Sequence, residues 1–221
     1  MNKFYITTAI AYVNAAPHIG HALEFIQADA LARYHRLKGD DTFYLTGTDE
    51  HGVKIYETAG EKGVTPQELV DENAEKFKAL KSILNLSNDD FVRTTEDRHK
   101  AGAQKIWQKM FDKGDIYKDS YKGLYCVGCE AYVSEKDLGE DGNCPNHNKA
   151  PKILEEENYF FKLSAYSDKI KSAIESGELK VFPESRKNEM LNMIGDKLPD
   201  VSFSRRKSIL PWGITVPNDE D

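Results

Sequence analysis

A short run of β-branched and aromatic residues, Phe4 to Ile10, is followed by the turn-like segment Asn14-Ala15-Ala16-Pro17, which predicts a strand and then a loop. From Ile19 the apolar residues Ile19, Leu23, Ile26, Ala30, Tyr34 and Leu37 recur every three or four positions, and Gly39 stands where a helix would stop. That spacing predicts an amphipathic helix with those six residues on one stripe. Thr42 to Thr46 reads as a second strand, leading into the polar turn Gly47-Thr48-Asp49-Glu50-His51-Gly52. Pro66, directly after Thr65, fits the first turn of another helix running through Leu69, Ala74, Phe77 and Leu80. Phe91 to Thr94 predicts a third strand, and Asp97 to Lys113 a helix that Gly114 ends. Strands alternating with helices at this spacing imply a parallel sheet covered by helices, an α/β unit over residues 1–114.

After Gly114 the pattern changes. Short aromatic-rich runs at Ile116-Tyr117, Tyr121 to Val127 and Tyr132-Val133 are punctuated by Gly, Asn and Asp, the mark of a small, separate β-rich module. Glu155-Glu156-Glu157-Asn158 leads into a predicted strand at Tyr159 to Phe161, with helices near Ala165 to Glu175 and Glu184 to Met193. The stretch from Asp200 to Asp221 reads as extended, with an acidic, proline-containing tip.

Composition narrows the function. Hydrophobic residues make up 39% and charged residues 30% of the 221, and no apolar run approaches the ~20 residues of a membrane helix. Met1 to Ile10 lacks the form of a secretory signal, so a cytoplasmic protein with no membrane partner is expected. The formal net charge of -7 argues against binding nucleic acid by charge alone and leaves only a local patch for it.

The cysteines number three, Cys126, Cys129 and Cys144, all in one short segment. Cys126-x2-Cys129 and Cys144-x2-His147 form two paired knuckles fourteen residues apart, which predicts a tetrahedral zinc site. Four protein ligands leave no open position, so the ion is expected to be structural. The competing reading is free or disulfide-linked cysteines beside a surface histidine.

His18-Ile19-Gly20-His21 lies between the Pro17 turn and the first helix, where unsatisfied N–H groups and the helix dipole attract anions. Two imidazoles three residues apart share one face there and can donate to phosphate oxygens, while Gly20 allows a flat base or ribose to approach. Taken alone, such a pair is equally a polar contact at a helix end. The absence of a Gly-x4-Gly-Lys-Ser/Thr loop rules out the usual P-loop.

The run Thr7 to His21 closely resembles the opening of class I aminoacyl-tRNA synthetases, whose HIGH motif is matched by residues 18–21. Within that class, Gly47-Thr48-Asp49-Glu50-His51-Gly52 resembles the methionine enzymes. The Cys3His module followed by Glu156-Glu157-Asn158-Tyr159-Phe160-Phe161 is similar to the one-zinc connective insertion of many bacterial members. The resemblance implies a Rossmann-type parallel sheet, with residues 1–114 as the first half of the catalytic domain. Residues 115–198 would be the zinc-bearing insertion and 199–221 a return segment toward a second half. It implies that His18 and His21 contact ATP phosphates and act in catalysis, with Gly20 near the adenosine. It implies Asp49 at the methionine α-amino group, Ala9, Ile10 and Tyr12 along the methionine pocket, and Arg205 near the active site. For Asp49 a loop cap, and for Arg205 a solvated basic turn, are the plain alternatives. Many bacterial members carry Pro and Tyr where this chain has Ala9 and Ala11, which implies a different pocket shape. The implied reaction is ATP-dependent activation of methionine, with Mg2+ accompanying ATP, and transfer to tRNA(Met). No KMSKS-like loop occurs in the 221 residues, so they are expected to be nearly inactive by themselves. Two rivals are another HxGH nucleotidyltransferase and a non-catalytic, zinc-containing module that binds tRNA or protein.

Overall fold

In a computed structural model, which describes residues 1–129, 131–139, 141–195 and 197–219, two sheets divide the chain. Of the residues singled out above, Asp221 and the side chains of Tyr121, Glu155 and Glu156 lie outside those described.

The first sheet is parallel. Its axis is β3 (Asp41–Asp49), which pairs on one side with β1 (Lys3–Thr7) and then β2 (Ala11–Tyr12), and on the other with β4 (Asp90–Arg93). The predicted first strand is therefore broken. Thr7 faces Leu45 but Ala11 faces Thr48, so four steps along one edge match three along β3. This is a bulge of one residue, and it reverses which side chains point inward. Before it the even positions Phe4, Ile6 and Thr8 are the more covered; after it Ala11 and Val13 are buried.

Helix α1 (Ile19–Leu37) forms where its periodicity predicts, but the face it buries differs. Phe25, Ala28, Asp29 and Ala32 are buried, whereas Ile19 and Leu37 are each 89% exposed and Leu23, Ile26 and Tyr34 stand at about half exposure. Small residues let α1 approach β3 closely, where the fully buried Tyr44 donates its hydroxyl to the Phe25 carbonyl at 3.1 Å. The apolar stripe that marks the helix in the sequence thus faces away from this sheet.

Helix α2 (Val53–Lys62) follows the polar turn and was not predicted. Its ten residues carry a glycine inside and lie between glycines at positions 52 and 63, which hides the helical period. Helix α3 (Pro66–Ile83) begins as predicted, with Thr65 and Glu68 capping each other reciprocally. Its Leu69, Val70 and Phe77 join Val13, Phe25, Ile55 and Ala59 in the main core, and Trp212 packs against that cluster from the chain's far end. Helix α4 (Asp97–Asp112) completes this part.

The second sheet is antiparallel, in the order β6 (Ala131–Val133), β5 (Ile116–Cys126), β7 (Lys152–Phe161), β8 (Val201–Ser202). The separate runs predicted at Ile116-Tyr117 and Tyr121 to Val127 are one strand of eleven residues. Its polar middle, Lys118-Asp119-Ser120, pairs with Tyr159, Asn158 and Glu157 across the ladder. Helices α5 (Ser167–Ser176) and α6 (Glu184–Ile194) follow within a few residues of expectation. The return segment is extended only at β8, which pairs with β7, and then runs through turns.

Candidate active site and metal centre

Helix α1 opens with two histidines that cap it reciprocally. The Gly20 N–H donates to His18 Nδ1 at 3.1 Å, and the His18 N–H donates to His21 Nδ1 at 3.2 Å. The rings stack with centroids 3.8 Å apart, and His21 lies edge-on to Phe77 at 5.0 Å. Because each Nδ1 accepts, the proton of each neutral ring sits on Nε2, and both Nε2–H groups remain as donors. Burial, then the neighbouring His18, lowers the pKa of His21, which favours the neutral form. At Gly20 a Cβ would lie 2.9 Å from His18 Cε1, so the missing side chain also makes room for the capping imidazole.

The break between β1 and β2 lies next to this helix start. The Ala9 N–H, released from the ladder, donates to Glu24 of α1 at 2.7 Å. Ala9 and Ile10 are exposed there, and Tyr12 is half-buried opposite Asp49 in the register.

Asp49 ends β3 at the carboxyl edge of the sheet, where ligands of parallel α/β sheets bind. The turn it opens is held from beneath. Glu50 is fully buried; it accepts from Arg93 Nε at 2.7 Å and Thr48 Oγ1 at 2.7 Å, and also from Thr95 Oγ1. Its own N–H donates to Thr94 Oγ1 at 2.8 Å. Arg93 reaches on to Asp71 of α3 at 2.5 Å. These bonds hold the Arg93 pKa above its ordinary value despite the opposing burial. Gly47 admits no side chain, since a Cβ would fall 2.1 Å from the Val92 carbonyl oxygen, and Gly52 takes φ 141°. From sequence Glu50 reads only as part of the turn and Arg93 only as part of a strand, and no role is read for either or for Thr95. Only the contact between β3 and β4 shows that they belong together.

His51 lies against Trp212, ring centroids 5.0 Å apart, and burial followed by the charge of Lys100 pushes its pKa down to about 4. It is therefore neutral near pH 7. The unfolded chain takes up this proton around pH 6.5, the folded chain only near 4. The stability due to neutral His51 is thus complete above about 6.5 and falls as pH drops toward 4, at up to ~1.4 kcal/mol per pH unit. An NMR titration should find the His51 ring midpoint close to 4; a midpoint near 6.5 would show that the ring is hydrated.

Asp49, His51 and Arg205 line one cleft of about 570 Å³ between the parallel sheet, α4, the start of the second sheet and the return segment. His18 and His21 lie outside its lining. Arg205 stacks over Tyr125 and Tyr132, 5.0 and 5.6 Å from their centroids, and donates to Ser202 Oγ and the Ser204 carbonyl. Its guanidinium thus ties the return segment to the β5–β6 hairpin.

The sulfurs of Cys126, Cys129 and Cys144 and Nδ1 of His147 lie within 4.8 Å of one another. His147 Nδ1 is 3.8 Å from Cys126, 3.3 Å from Cys129 and 3.8 Å from Cys144, and the Cys129 and Cys144 sulfurs are 3.5 Å apart. A tetrahedral zinc with Zn–S bonds of about 2.3 Å has ligand edges of roughly 3.5–3.8 Å, so the four donors fit that ion. The Cys129 N–H points at the Cys126 sulfur at 3.4 Å. Gly128 is required here, since a Cβ would lie 2.4 Å from the His147 ring. The bond from His147 draws the Cys144 thiol down to about 6, while burial and the neighbouring sulfurs push Cys129 up to about 11. Such crowding of thiols is what a divalent cation relieves.

A parallel sheet with a histidine-capped helix at its carboxyl edge, joined to a Cys3His module, defines a class. The family described as "tRNA synthetases class I (M)" matches residues 4–151 and 140–221, and the chain belongs to it. Its relatives within that class are the methionine enzymes. It is 48% identical over 99% of its length to the methionine–tRNA ligase of Brucella suis biovar 1 (strain 1330), of which it covers 42%. It is 46% identical to that of Thermotoga maritima, covering 35%. Among solved structures it is similar to Mycobacterium tuberculosis methionyl-tRNA synthetase in complex with methionyl-adenylate, with TM-score 0.92, 40% identity, and 99% and 43% of the two chains covered. Against the free-state structure of that protein the TM-score is 0.79. The chain therefore spans less than half the length of these relatives.

Proposed function

We propose that these residues form the ATP-binding side of an enzyme that activates methionine to methionyl-adenylate and transfers it to tRNA(Met). The observation that carries this reading is the reciprocal cap of α1, which fixes two Nε2–H donors at the positive end of a nineteen-residue helix. In this reading His18 and His21 contact the phosphates of Mg2+-bound ATP and stabilise charge on the α-phosphate as pyrophosphate leaves. Gly20 packs near the adenosine. Asp49 receives the methionine ammonium group, and Ala9, Ile10 and Tyr12, beside the strand break, line the methionine pocket. Arg205 borders the site from the return segment. Cys126, Cys129, Cys144 and His147 hold one structural zinc ion, which clips the tip of the insertion and takes no part in the chemistry.

The same reading divides the chain into residues 1–114, the first half of the catalytic domain; 115–198, the connective insertion; and 199–221, the return segment. No helix among the described residues is long and apolar enough to cross a membrane, which accords with a cytoplasmic enzyme.

Methionine-dependent exchange of pyrophosphate into ATP tests the reading. Exchange is expected from the complete gene product carrying these residues and is expected to be negligible from residues 1–221 alone, given the length of the relatives. Strong, salt-dependent tRNA binding by the complete product with no ATP affinity would instead favour a non-catalytic module.

A further inference from the structure

The turn that presents Asp49 and His51 is specified by groups that face away from it. Asp49 and His51 look into the cleft. Glu50 between them points into the protein, fully buried, and takes hydrogen bonds from Arg93, Thr48 and Thr95. A carboxylate in that position is tolerated only with a charged partner and filled acceptor sites. Arg93 supplies the charge, and its second arm is anchored by Asp71 on α3. The backbone of the turn is tied as well, through the Glu50 N–H to Thr94 and the Thr94 N–H to the Thr48 carbonyl at 3.2 Å.

The turn is also held at both ends. Gly47 sits against the Val92 carbonyl oxygen, and Gly52 takes a backbone angle that other residues rarely adopt. Between two such fixed points, the direction of Glu50 sets the direction of both neighbours. If Glu50 were to rotate out of its pocket, Asp49 would turn from the cleft by the same backbone movement.

We propose that Arg93, acting through Glu50, is a positioning residue that holds the Asp49 carboxylate where it receives the ammonium group of the amino-acid substrate. The inference rests on the reading of Asp49 given above. It extends that reading to a residue on a neighbouring strand whose guanidinium touches neither substrate. Arg is suited to the place because its planar fork serves Glu50 and Asp71 at once, whereas a lysine can reach only one of them well.

The test is the split between KM for methionine, KM for ATP and kcat in pyrophosphate exchange by the complete gene product, for Arg93→Lys, Glu50→Gln and the milder Thr95→Val. Thr95→Val removes one hydroxyl from Glu50, keeps the charge pair, and serves where the others fold poorly. The expected result is a rise in KM for methionine of about tenfold or more for Glu50→Gln and three- to fivefold for Thr95→Val, with KM for ATP within twofold of its starting value. A methionine analogue lacking the α-amino group, used as a competitive inhibitor, should bind each variant as it binds the unsubstituted enzyme. If these variants lower the melting temperature and leave KM for methionine unchanged, or weaken the deaminated analogue equally, the network is only structural and the proposal is overturned. Absence of methionine-dependent exchange in the unsubstituted protein would instead overturn the reading of the site itself.

Discussion

Removing the metal is expected to release one zinc ion per chain and to unfold the tip of the insertion while the parallel sheet stays folded. From Gly123 to Pro151 the buried side chains among the described residues are Tyr125, Cys126 and Cys144, too few to offset the ordering of that many backbone positions. The β5–β6 hairpin contributes three paired positions, and a short ladder without a core is marginal in water. Structural zinc contributes on the order of 10 kcal/mol in small modules of this kind, so with the proposed ion bound at the Cys3His cluster its loss would outweigh everything else that holds the tip. Metal analysis, together with amide exchange before and after chelation, checks this. Protection should vanish around residues 126–147 and persist along β3. Equal protection in both states would mean that the hairpin stands without metal.

The second large effect is expected at the helix cap. His18 does two things: its Nδ1 caps α1, and its Nε2–H is free to donate. Asparagine separates them, because its side-chain oxygen caps a helix well while nothing reaches where Nε2 stood. His18→Asn should therefore leave the melting temperature nearly unchanged and lower kcat for exchange by ~10²–10³-fold, the usual loss on deleting one preorganised donor to developing charge. His18→Ala should lose the same activity and a further ~1 kcal/mol of stability. If His18→Asn retains full exchange, the imidazole is only a cap and the phosphates are held elsewhere.

Some of this was legible in the sequence and some was not, for physical reasons. The cysteine–histidine spacing led to the Cys3His cluster because its four residues fall in two close pairs along the chain, and a tight turn alone brings each pair together. The helix starts were legible at Pro66 and at His18 because caps are local. Helix α2 was not, since three glycines and ten residues leave no clear period. The long strand β5 looked like fragments because its own middle residues, Lys118-Asp119-Ser120, are polar and break the run of aromatic and apolar positions. The stripe Ile19, Leu23, Ile26, Tyr34 and Leu37 announced a helix correctly but not its buried face. Periodicity reveals that a helix has an apolar side, not which neighbour covers it. Glu50 and Arg93, forty-three positions apart, meet only through the pairing of β3 with β4.

The extra residue at the edge of the first sheet gives the N-terminal segment a phase. Between Thr7 and Ala11 the chain counts four steps against three, and the exposed backbone at Ala9 and Ile10 depends on that count. Most substitutions there would alter one contact. Deletion of one residue between Thr8 and Ile10 would let three steps match three, leaving Ala11 opposite Thr48 and Tyr12 opposite Asp49 but abolishing the bulge, and with it the exposed N–H that donates to Glu24. The strand would then lose that tie to helix α1. Length in this short stretch is thus what keeps the bulge, and related chains that keep it should differ there by exchange of side chains and not by gain or loss of a residue.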